Sequence, residues 1–155
     1  MTGPSPSKKP TRREARKLAL IAAHAMEFTG YGPVETLEVL PSITPQWAQA
    51  PDFSRELVMA LDEHQSEIET DIESALEHWT MDRVGTVDRI LLRLACAEIN
   101  YFPDVPPRVT INEYLELAKK YAGDESPAFI NGVLDKLVRL KQKPDVQLVK
   151  TRRGR

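Results

Sequence analysis

Cysteine is all but missing from this chain. The single one, Cys96, cannot close an internal disulfide, and its place within an apolar helical run reads as a small buried hydrophobe. Glycine is also scarce, at seven residues, and none forms a phosphate-cradling loop. The "GYG" of Gly30 to Gly32 has no strand before it and no third glycine after it, so it reads as a helix terminator. No run approaches about eighteen consecutive apolar residues, and the opening "MTGPSPSKKP" lacks the apolar core of a secretory signal; neither a membrane span nor a signal peptide is expected, and the chain reads as cytoplasmic. Strand-like alternation is absent. The G-x-S-x-G elbow, the P-loop, H-E-x-x-H and C-x-x-C are absent as well. Acid pairs such as Asp71 with Glu73 and Asp124 with Glu125 lie in acidic stretches that hydration explains better than general acid/base work. His24, His64 and His78 have no second ligand at metal spacing. The expectation is a protein that is not an enzyme and carries no cofactor and no metal.

What is present is an ordinary globular composition, 41% apolar and 28% charged over 155 residues, enough for one domain with tails. The net charge of −2 conceals a segregation: residues 1–17 carry +5, residues 136–155 carry +7, and the middle carries −14. Basic ends attract anions, whereas an acidic body suits a basic protein partner.

Helical periodicity runs through the body. Ala15, Leu18, Ala19, Ala22, Ala23 and Met26 form a 3.6-residue stripe. A short helix around Val34 to Leu40 closes at Pro41, and "PSITPQWAQAPD", with three prolines in twelve residues, reads as a loop. Phe53, Leu57, Leu61, His64, Ile68, Ile72, Ala75 and Trp79 step by three or four and predict one long helix with His64 on its inner stripe. Asp82 is placed to cap the next helix, whose apolar residues from Val84 to Ile99 cover nearly every face, as expected of a helix surrounded by others. Arg93 and Glu98 on it must find partners or reach a surface. A further helix starts between Pro107 and Thr110 and ends at Gly123. Ser126 followed by Pro127 marks the start of the last, with Phe129, Ile130, Val133, Leu134, Leu137 and Leu140 inward and Gly132 permitting a close helix contact. The expected fold is an all-α bundle of about six to seven helices. A basic arm, 1–10, precedes a helical domain, 11–142, with subdomains of about 11–79 and 80–142, and a basic tail, 143–155, follows it.

One stretch is at odds with helix electrostatics. "KKPTRREARK", Lys8 to Lys17, has six cations and one acid, and Thr11 with Glu14 forms a capping-box pattern that puts Arg12 and Arg13 in the first helical turn. A helix N-terminus already carries roughly half a positive charge, and each misplaced cation costs about 0.3–1 kcal/mol. Phosphate would reverse that penalty, because guanidinium groups and the helix end would attract it together. Arg12, Arg13 and Arg16, with Lys8 and Lys9 on the preceding arm, are therefore the candidate phosphate contacts. Single-stranded RNA also needs flat groups for stacking. His24 lies two turns along the same side, and Tyr121 closes the fifth helix, either as a second such group or as a core tyrosine.

The C-terminal half carries three ordered motifs: "VDRILLR", the run "INEYLELAK" from Ile111 to Lys119, and "FINGVLD" from Phe129 to Asp135. Together with "RREARKLAL", these make the chain resemble the NusB family of bacterial transcription antitermination factors. The resemblance implies an all-α fold in two small subdomains and a role without catalysis. It also implies binding to boxA single-stranded RNA of ribosomal RNA leaders, jointly with the ribosomal protein NusE, on the RNA polymerase elongation complex. By position it implies RNA contacts at Arg12, Arg13, Arg16, Arg93 and Tyr121, with Glu125 near the RNA as an acid that tempers affinity. Asp82 and Asp88 fall on the NusE side. Glu14 stands where a third arginine can occur, and His24 stands where the family has a tyrosine, which makes stacking there pH-sensitive. Two alternatives accompany this reading. One is a helical interaction module that reads no RNA. The other is the RNA-binding appendage of a ribosomal-RNA cytosine methyltransferase, against which stands the expectation that no cofactor domain follows residue 155. A homodimer masking the RNA surface is a further association to test, and no residue argues for it.

Overall fold

The computed structural model describes residues 11–78 and 80–142. Among them are seven α-helices and two short 3-10 turns, with no strand. The chain packs as two compact units that divide between Asp62 and Glu63. The first holds α1 (Arg12–Thr29), α2 (Pro33–Ile43), a 3-10 turn (Pro45–Gln49) and α3 (Asp52–Glu63). The second holds α4 (Gln65–Ala75), a 3-10 turn (Met81–Arg83), α5 (Thr86–Tyr101), α6 (Pro107–Tyr121) and α7 (Ser126–Lys141).

In the first unit α1 buries the predicted alanine-rich stripe, Ala15, Leu18, Ala19, Ala22 and Ala23. It ends at Gly30, whose φ of 75° is the left-handed conformation that favours glycine. The proline-rich segment expected to be a loop instead folds over the core. Trp47 in its 3-10 turn is fully buried, and Arg55 of α3 lies 5.7 Å above the indole. Ser54 Oγ donates to the carbonyl of Ala15 at 2.7 Å, which ties α3 to the first turns of α1.

The second unit is built around α5, which packs against α4, α6 and α7 and buries Ile90, Leu91, Leu92, Leu94, Ala95, Cys96 and Ala97. Each fully buried leucine contributes about 1.5–3 kcal/mol. The two polar residues that needed partners have them: Arg93 pairs with Glu69 of α4, and Glu98, fully buried, accepts from Thr110 Oγ1 of α6 at 2.6 Å. Burial, with the carboxylate of Asp71 adding to it, pushes the Cys96 thiol up to about 12. The native protein should accordingly resist alkylation by iodoacetamide at pH 8. Mass spectrometry should find Cys96 unlabelled until urea unfolds the chain.

Several local expectations are corrected. The predicted long helix breaks at His64 (φ −119°, ψ 27°) into α3 and α4. The His64 ring leaves the inner stripe to stack on Tyr101, with centroids 3.7 Å apart, and sits between the carboxylates of Glu63 and Glu67. Pro41 lies inside α2 rather than ending it, since the ring removes only one donor near a terminus that Thr44 N–H closes onto Leu40 at 2.7 Å. Asp82 is no helix cap: α5 starts at Thr86, and Asp82 accepts from Thr80 in the preceding 3-10 turn. Glu125, not Ser126, is the N-cap of α7. Gly132 faces open space, and Leu140 is exposed. Lys8, Lys9, Trp79 and the basic tail lie outside the described residues.

Candidate nucleic-acid interface

The opening turn of α1 is a closed capping box. Glu14 N–H donates to Thr11 Oγ1 at 3.1 Å, and Thr11 N–H donates to Glu14 Oε1 at 3.3 Å. Glu14, which thins the arginine run, thus anchors the helix that presents it. Replacing Thr11 with alanine should lower stability by about 1 kcal/mol, read as a fall in the urea midpoint at unchanged slope.

The three arginines divide by environment. Arg12 and Arg13 are exposed, as is Lys17 one turn beyond Arg13. Arg16 is only 3% exposed. The guanidinium groups of Arg12 and Arg16 lie 4.2 Å and 5.3 Å from the centroid of the Phe53 ring. The negative face of an aromatic ring attracts a cation, so part of what tolerates arginines at this helix end is internal. Arg16 buttresses the turn, while Arg12, Arg13 and Lys17 make its cationic surface. Further along, half-buried His24 meets Phe28 edge to face, with centroids 4.8 Å apart at 61°. Phe28 was not singled out from the sequence, although its spacing of four from His24 is the signal that could have found it.

In the second unit Asp88 and Glu125 come together. They line one open groove of about 1080 Å³ with Arg83, Asp124, Ser126 and Phe129. Ser126 Oγ donates to Asp88 Oδ2 at 3.0 Å, joining the start of α7 to the first turn of α5. Phe129, expected in the core, is half-buried and lines this groove. Tyr121 is 44% exposed at the end of α6, which removes the core reading; the core tyrosine of that helix is Tyr114. Asp82 is exposed on its 3-10 turn and does not line the groove. Arg93, held by Glu69, does not line it either.

The first unit thus carries a cationic, capped helix start of the kind that attracts phosphate, and the second an acid-lined groove. Residues 13–139 match the NusB family, and the chain belongs to it. The transcription antitermination protein NusB of Myxococcus xanthus is 39% identical over 137 residues, covering 86% of this chain and 98% of its own length. Among solved structures, T. maritima NusB superposes with a TM-score of 0.76 at 31% identity, covering 89% of this chain and 96% of that one. The antitermination factor NusB, in a complex with NusE and double-stranded RNA, superposes with a TM-score of 0.71 at 28% identity, covering 83% and 96%. Among the described residues no helix is long and apolar enough to cross a membrane.

Proposed function

We propose that this chain is an RNA-binding transcription antitermination factor. It binds boxA-type single-stranded RNA of ribosomal RNA leaders together with NusE and keeps the elongating polymerase processive. The observation that carries the reading is the exposed pair Arg12 and Arg13 on a capped helix start, in a chain whose family relative has been captured with NusE and RNA. The role is non-catalytic and cytoplasmic, and it needs no cofactor. Lys8 and Lys9, which precede the helix in sequence, add positive charge for the RNA, Tyr121 offers a face for stacking, and Glu125 tempers affinity. Arg93, whose ion pair with Glu69 joins α5 to α4, is a further RNA contact. Asp88 and Asp82, exposed or half-buried on the acidic second unit, receive the basic ribosomal protein.

A fluorescence titration with a labelled boxA strand tests this. If about four phosphates are neutralised, log affinity falls against log salt with a slope near −3. An isotherm no tighter for boxA than for a scrambled strand, with NusE present, would leave an interaction module that reads no RNA.

A further inference from the structure

The outer face of α1 continues well past the arginines. Arg13, Lys17, His24 and Phe28 are spaced by four, seven and four residues, which places them on one side of the helix. Arg13, Lys17 and Phe28 are exposed and His24 is half-buried. The stripe is roughly 22 Å long at 1.5 Å per residue. Its far end holds a phenylalanine that is 77% exposed, a large apolar cost to leave in water at a position where any polar residue would serve the helix. The ring is also braced. His24 meets it edge to face, and the chain just beyond turns sharply at Gly30, where Thr29 Oγ1 accepts from the backbone N–H of Tyr31 at 3.0 Å. Tyr31 is itself 49% exposed. A cationic track that leads to a braced, exposed aromatic is the pairing single-stranded nucleic acid uses: phosphates neutralised along the groove, a base laid on a ring face.

Resting on the function proposed above, we infer that Phe28 is a base-stacking residue for the RNA, with His24 setting the angle of its ring. The strand runs along the outer face of α1, its phosphates over Arg13 and Lys17 and one unpaired base on Phe28. The occupant is RNA rather than a protein because the same stripe carries cations, which a basic ribosomal partner would avoid.

The test uses the full chain and a boxA-type RNA with 2-aminopurine placed at successive positions. One position should be quenched by the wild type and by Phe28→Tyr, and not by Phe28→Ala. Affinity should fall about 5- to 150-fold in Phe28→Ala and return in Phe28→Tyr. The salt slope should be the same in all three, because stacking releases no counterion. Since the ring is exposed, thermal melts of the three proteins should coincide. If Phe28→Ala binds RNA as the wild type does while loss of Arg12 and Arg13 still weakens binding, RNA binding stands and the stacking role is overturned. Loss of NusE binding alone in Phe28→Ala would also overturn it, marking a protein-docking ring instead. If the wild type prefers no RNA at all, the function and the stacking role fall together.

Discussion

An Arg12→Ala/Arg13→Ala double variant should bind a boxA strand about 2–4 kcal/mol more weakly at low salt, roughly 30- to 700-fold, with its salt slope flattened by roughly 1.4 for two lost phosphate contacts. Both side chains are exposed on the first turn of α1, where guanidinium groups and the positive end of the helix dipole would act on one anion. Arg16→Ala should behave differently. Its side chain is buried against the ring of Phe53, so truncation should lower stability by about 1–3 kcal/mol and leave the salt slope unchanged. Isothermal titration across a salt series, paired with urea melts, separates the two. A slope that flattens as much in Arg16→Ala as in the double variant would refute the division.

The second large effect concerns the protein partner. Asp88→Lys should weaken NusE binding by about 2–5 kcal/mol while RNA binding measured without NusE survives. Reversal places a cation among the acids that line the groove and removes the acceptor for Ser126 Oγ. Asp88→Asn sorts these causes, since the amide oxygen still accepts that bond without the charge. Surface plasmon resonance with immobilised NusE should rank wild type above Asp88→Asn above Asp88→Lys. Equal affinity for all three would move the NusE contact away from α5.

Much of this was legible in the residues. The capping box at Thr11 and Glu14, the apolar stripe of α1 and the all-round apolar character of α5 are local patterns, and local patterns survive folding. What the sequence hid was decided by contacts distant along the chain. The apolar period from Phe53 to Ile72 runs unbroken through His64, yet the helix breaks there and the imidazole stacks on Tyr101, 37 residues further along the chain. Ser126 followed by Pro127 carries a strong cap signal, but its hydroxyl is taken by Asp88, and the start of α7 moves by one residue. Arg16 belongs to a run that reads as one cationic cluster, yet it alone of the three arginines is buried, beside the ring of Phe53 from α3. Asp88 and Glu125, far apart in sequence, share a groove that no spacing rule could reveal.

The reciprocal cap formed by Glu14 also limits how this surface can change over time. A mutation to arginine there would add cationic reach toward a strand but unlock the helix that holds the neighbouring guanidinium groups steady. Tighter grip and a firmer platform pull that position in opposite directions. With the acid kept, added hold on RNA has to come from positions outside that first turn, such as Lys17.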